Sequence, residues 1–148
     1  MDQKVKYHPE YWAGKKLAYP HVPAESPKFA RSIVVGNLVF ISGCQGQNDE
    51  SLKVETSVFE EQMIVALDKI RNAMEEVGSS MNNVIKTLIL LTRLEDYSRM
   101  RKTELEYYQK YAPLLVDYPP ASTFLQVASL AKPDFLVEID VIGVISRQ

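Results

Sequence analysis

The sequence holds one cysteine, Cys44, and two histidines, His8 and His21. A single thiol cannot close a disulfide within the chain, so cysteine usage gives no sign of an oxidising compartment. The two histidines stand apart from the cysteine and produce no metal-ligand spacing. No apolar run approaches the roughly 18 residues that a membrane-spanning helix needs. The opening Met-Asp-Gln-Lys-Val-Lys lacks the apolar core of a secretion signal. Gly43 and Gly46 bracket Cys-Gln, which matches neither the P-loop nor the dinucleotide fingerprint. Concentrated basic charge is missing too: 17 lysines and arginines stand against 19 acidic residues, for a formal net charge of −2. The densest basic stretch, Arg99-Met-Arg-Lys102, falls in a helical pattern beside Glu104 and Glu106 and reads as a solvated helix face. Nucleic-acid binding usually needs more than that. The expectation is a cytoplasmic protein without metal, cofactor, nucleic-acid partner or membrane anchor.

What is present suits one domain of 148 residues, 46% of them hydrophobic and 24% charged. Residues 1–28 differ from the rest. They hold four of the eight prolines, both histidines, the only tryptophan (Trp12), and Tyr7, Tyr11 and Tyr19. Proline resists regular elements, whereas disordered tails are poor in aromatics. The segment reads as an irregular arm laid on the folded body or across a neighbouring subunit, and residues 29–148 read as the domain.

Within the domain the pattern becomes regular. Ser32–Val35 and Leu38–Ser42 read as strands joined by the Gly36-Asn37 turn. A helix is expected over Ser57–Val77, with Phe59, Met63, Leu67, Ile70, Met74 and Val77 at three- and four-residue steps and Gly78 as its C-terminal cap. Val84–Leu91 is a strand. Asp96 opens a second helix to about Tyr111, with Tyr97, Met100, Leu105, Tyr108 and Tyr111 as its inward residues. Ala121–Leu130 and Phe135–Ile145 are the last strands. The order β-β-α-β-α-β-β predicts an α+β fold, two helices packed on one face of a mixed sheet.

Two helices cover only one face. Yet Thr87-Leu-Ile-Leu-Leu91 and Val141-Ile-Gly-Val-Ile145 are apolar on both sides, as in strands covered on both faces. A homo-oligomer follows from this pattern, the alternative being that the arm covers the second face within one chain.

Side chains two apart on a strand share a face. Ser122, Phe124 and Gln126 therefore line one side of their strand, and Glu138 and Asp140 one side of the last. Carboxylates in an apolar run are either paired with donors or, with a raised pKa, available for proton transfer. Both readings stand. Ser42, at a strand end before Gly43, is a ligand contact or a turn cap. Cys44 reads as a small packed side chain, and Arg31 and Arg93 as surface ion pairs or as cations turned into a pocket.

Taken together, Val35-Gly-Asn-Leu-Val-Phe-Ile-Ser-Gly43, Ile85-Lys-Thr87, Leu94-Glu-Asp-Tyr97, Tyr118-Pro-Pro-Ala-Ser122 and Val137-Glu-Ile-Asp-Val-Ile-Gly143 resemble the RidA (YjgF, reactive intermediate deaminase A) family over roughly residues 27–146. The resemblance implies a homotrimer of chorismate-mutase-like subunits whose sheets form a central barrel, with a small-molecule cleft at each subunit interface. In the enzymatic branch, those clefts hydrolyse imines and enamines to a 2-oxo acid and ammonia without a cofactor. Carried over residue by residue, the family's serine falls on Ser42, beside Gly43, and its water-positioning glutamate on Glu138. Its early aromatic falls on Phe29, without the hydroxyl of tyrosine. The arginine that grips the substrate carboxylate falls on Ser122, and the cysteine two residues on falls on Phe124.

Serine cannot replace a guanidinium fork. The resemblance therefore implies a divergent member, a C–N hydrolase or deaminase of altered specificity acting on an imine, enamine or amide-like substrate. Glu138 would be catalytic, and Ser42, Gly43, Ser122, Phe29, Phe124, Gln126, Arg31 and Cys44 would bind the substrate, with Arg31 or the arm supplying the missing charge. The alternative is a non-catalytic trimeric metabolite-binding protein. The endoribonuclease or translation-inhibitor activity of some relatives fits the acidic composition less well. The expected trimer can be checked by light scattering, which should return three times the 16.8 kDa chain mass; a single-chain mass would overturn both the two-sided strand argument and the trimer.

Overall fold

The computed structural model describes residues 29–147, together with the backbone of short strands at 6–8, 11–12 and 15–16. Strands β1 (Lys6–His8), β4 (Ser32–Val35), β5 (Leu38–Gln45), β6 (Val84–Leu91), β7 (Ala121–Gln126) and β8 (Val137–Val144) form one sheet in the order β1-β4-β5-β8-β6-β7. Only β6 and β7 run parallel. Strands β2 (Tyr11–Trp12) and β3 (Lys15–Lys16) pair separately. Residues 1–28 thus contain more regular pairing than an irregular arm: Lys6–His8 lie antiparallel on Ser32–Val34 at the sheet edge. The arm's side chains, and most of its course, fall outside the described residues.

Between β4 and β5, Gly36 takes the positive φ of +61° that the first turn position requires. Asn37 ties this turn to the end of β8. Its amide donates to the Ser146 carbonyl at 3.1 Å, and its carbonyl accepts from the Ile145 N–H at 2.9 Å.

Helix α1 (Phe59–Glu76) buries Phe59, Gln62, Met63, Ala66, Leu67, Ile70, Ala73 and Met74, the stripe that its periodicity predicts, with Gln62 as a polar member. It ends where expected, at Gly78. The N–H groups of Gly78 and Ser79 donate to Glu75 and Met74, the paired bonds of a Schellman cap. Helix α2 (Tyr97–Tyr111) follows a 3₁₀ turn and buries Met100, Thr103, Glu104, Tyr107 and Tyr108. Leu105, Tyr97 and Tyr111, expected inward, are exposed. The inward stripe runs instead through Glu104, whose carboxylate accepts from Tyr108 and Arg101, so charge type misread the face. A single turn, α3 (Leu114–Asp117), follows Pro113.

Both long helices share one core with the sheet. Val39, Ile89, Leu91, Val137 and Ile139 meet Phe59, Met63, Ile70, Met100 and Leu115 there. Strand β7 stops at Gln126 rather than Leu130, because β6, its one neighbour, ends at Leu91. Past that point only the Val127 N–H finds a partner on β6, the Leu91 carbonyl at 2.8 Å.

A buried amide fastens the loops to α1. Gln62, fully buried, donates to the Thr56 and Asp134 carbonyls, both at 2.9 Å, and accepts from the Leu136 N–H at 3.0 Å. Leucine at this position would fit the volume but strand three backbone groups. Gln62→Leu is expected to lower stability by about 3 kcal/mol in urea denaturation; a change under about 1 kcal/mol would mean that water replaces the clamp.

Candidate functional site

The side of the sheet away from the helices is open. Register places Phe40 opposite Ile142, Leu38 opposite Val144, and Leu90 between Glu138 and Leu125. Leu38, Phe40 and Leu125 are 40–49% exposed. Among the described residues nothing packs over this face, so the apolar character of both strand sides is explained on one side only.

Glu138 and Asp140 project into the middle of that face. The reason they fit is a β-bulge. Ile41 pairs with Val141 and Cys44 with Ile139, so Ser42 and Gly43 together stand opposite Asp140. A β-carbon on Gly43 would come 2.0 Å from Glu138 Oε1 and 3.0 Å from Asp140 Oδ1. Only glycine lets the glutamate lie across the bulge. Ser42, next to it, is fixed rather than free: its hydroxyl donates to the Ala30 carbonyl at 2.5 Å and its N–H to the Arg31 carbonyl at 2.9 Å.

Among the described residues no cation pairs with either carboxylate at ion-pair distance. Burial, with the Asp140 charge adding to it, raises the Glu138 carboxyl above its ordinary 4.5. Burial likewise raises Asp140 above 3.8. A half-buried, unpaired carboxylate with a raised pKa is the basic group that proton transfer from water requires.

The other expected residues lie elsewhere. Ser122 pairs with Thr87, whose hydroxyl donates to it at 3.0 Å, and Thr87 is buried on the helix side. Ser122, Phe124 and Gln126 therefore share the helix side of edge strand β7, opposite the face that carries Glu138. Phe29 is exposed just before β4. Arg31 bonds to Glu76 at 3.5 Å, at the end of α1, and Arg93 holds buried Asp96 at 2.8 Å. Cys44 points into the core, where burial pushes its thiol up to about 12. It is no nucleophile at neutral pH.

Two residues absent from the expected set stand beside Ser122. Arg101 Nη2 lies 3.4 Å from its hydroxyl, and the Tyr97 ring packs edge-on against Phe124 at 4.9 Å. Sequence reading put Arg101 on a solvated helix face because the approach of α2 to β7 is a tertiary fact. A cleft of about 410 Å³ also runs between residues 54–57, Arg93, Asp134 and Leu136, but of the expected site residues it includes only Arg93, already committed to Asp96. Among the described residues no metal-binding group assembles, and no helix is long and apolar enough to cross a membrane.

The pH dependence of stability follows from the raised carboxyls. The folded chain holds the Glu138 proton more tightly than the unfolded chain does. Stability therefore falls as pH rises from the ordinary 4.5 through the raised value. Glu138→Gln should raise the urea midpoint near neutral pH, and the gain should vanish at about pH 3.5, where both states are protonated. An equal gain at both pH values would assign the effect to packing.

Comparison with known proteins gives a consistent result. Residues 20–145 match the family described as endoribonuclease L-PSP. A RutC family protein of Pyrococcus abyssi is 28% identical over 115 residues, covering 78% of this chain and 84% of the relative. A 2-iminobutanoate/2-iminopropanoate deaminase of Bos taurus is 27% identical over 130 residues, covering 88% and 89%. The solved structure of the Rid-family protein YyfA from Yersinia pestis superposes with a TM-score of 0.74 at 19% identity, covering 95% and 99%.

Proposed function

This chain belongs to the endoribonuclease L-PSP (RidA/YjgF) family, and from that premise we propose that it is a cofactor-independent hydrolase of C–N bonds with a specificity of its own. The observation that carries the proposal is the Glu138–Asp140 pair, without a cation partner among the described residues and raised in pKa, lying against the bare backbone of Gly43. Glu138 accepts a proton from water as the water oxygen adds to the carbon of a C=N bond. The proton passes to nitrogen, and the carbinolamine collapses to a carbonyl and ammonia. The bovine relative is named for imines of this kind. Ser42 keeps an oxygen lone pair for the substrate, since its proton is committed to Ala30.

Glu138 and Ser122 occupy opposite faces of one sheet. A cleft using both therefore takes the open face from one chain and the β7 edge from another, which gives the apolar face its cover. A cytoplasmic homotrimer with three such interfacial clefts satisfies both demands. Specificity changes at β7, where Ser122 and Phe124 offer a hydroxyl and a ring in place of a charged fork.

The test is ammonia release from freshly generated 2-iminobutanoate and from enamines. Glu138→Gln should lower kcat by about 100-fold or more while the oligomer stays intact. Ser122→Arg should raise kcat/KM on 2-iminobutanoate by about 10-fold, through a bidentate grip on its carboxylate. No ammonia release by the wild type above the uncatalysed rate would reject the hydrolase and leave a metabolite-binding trimer, and unchanged turnover in Glu138→Gln would reject Glu138 as the base.

A further inference from the structure

We infer that Arg101, reaching from α2 to the edge of β7, anchors a carboxylate on the substrate, and that Tyr97 and Phe124 form the wall for its apolar part. The inference rests on the hydrolase reading above and narrows its substrate to an imine or enamine that bears a carboxylate.

The geometry begins at Ser122. Its hydroxyl oxygen accepts from Thr87 Oγ1 at 3.0 Å and from Arg101 Nη2 at 3.4 Å, so its own proton remains to be donated.

Arg101 is braced rather than loose. Nη1 donates to Glu104 Oε2 at 2.7 Å and Nε to the Tyr97 hydroxyl at 3.4 Å. The guanidinium carbon lies 5.4 Å from the Tyr97 ring centroid. Glu104 accepts in turn from the Tyr108 hydroxyl at 3.3 Å. A guanidinium carries five N–H donors. Three of them are engaged among the described residues, which leaves one on each terminal nitrogen, and the side chain is 34% exposed.

Two N–H donors of a partly exposed guanidinium and the proton of the neighbouring Ser122 hydroxyl thus remain without a partner among the described residues. Beside them, the Tyr97 and Phe124 rings meet at 63°. Donors of this type on a cation recognise an anion. The Glu104 charge cancels most of the local excess, which disfavours a dianion such as phosphate and suits a singly charged carboxylate. The rings then take the apolar substituent.

The experiment is calorimetric titration of the purified oligomer with 2-oxobutanoate and with its uncharged amide, 2-oxobutanamide. Wild type should prefer the acid. Arg101→Met should weaken acid binding about 10-fold or more and change amide binding less than about 2-fold; Arg101→Lys should fall between, having charge without the fork. Glu104→Gln should tighten acid binding several-fold, because it removes the carboxylate that competes for Arg101. A brace that is merely structural would give the opposite sign, so this variant decides the matter even if Arg101→Met unfolds. Acid binding that ignores all three substitutions, equal affinity for acid and amide, or no binding of either overturns the inference. Failure of the hydrolase reading looks different: the wild type would release no ammonia while the acid still bound through Arg101.

Discussion

The face of the sheet that the described residues leave uncovered is the constraint from which the rest of the structure follows. Strands β5, β6 and β8 carry apolar side chains on both sides, and the helices use only one. At roughly 25 cal/mol per Å² of apolar surface, leaving the second face in water forfeits a large share of what the sheet could contribute. The proposed association with other copies of the chain would bury this face. If that association brings the edge strand of one chain to the open face of another, as proposed above, the demand for burial and the demand for a composite cleft have one solution.

Glu138 and Asp140 interrupt that apolar face, and the interruption has a structural origin. A regular β5–β8 ladder would set a β-carbon against Glu138. The bulge at Ser42-Gly43 removes the ladder contact, and glycine removes the β-carbon. Two carboxylates without a cation are costly in a half-buried setting. Their position at the centre of the face is hard to account for by packing alone, since an apolar residue would suit an apolar face better. The same desolvation that makes them costly makes Glu138 more basic, and this couples local instability to the proposed chemistry.

Much of the fold was legible in the sequence because it is written in periodicity. The α1 stripe from Phe59 to Met74, its stop at Gly78 and the turn at Gly36 are all local patterns, and each occurs where it was expected. Periodicity fails where a charged residue is buried with its own partners. Glu104 belongs to the inward stripe of α2, and Leu105 does not. The candidate site divides along the same line. Alternation correctly grouped Ser122 with Phe124 and Gln126, and Glu138 with Asp140. It could not reveal that the two groups face opposite ways, because that depends on the pairing of β7 with β6 and of β6 with β8.

Arg101 shows what such a division implies for reading a binding site from aligned positions. A position that loses its cation need not leave a site without one, because a pocket is built from every element that reaches it. Serine at 122 is small enough to admit a guanidinium from the neighbouring helix and polar enough to hold it. The approach differs, however. A fork on β7 would extend along the strand edge with its donors unencumbered, whereas Arg101 arrives already bonded to Glu104 and Tyr97. It therefore offers fewer donors in a fixed orientation beside an aromatic wall. The proposed anchor would thus lower affinity for the smallest carboxylates and raise selectivity for those with an apolar group to place against Phe124.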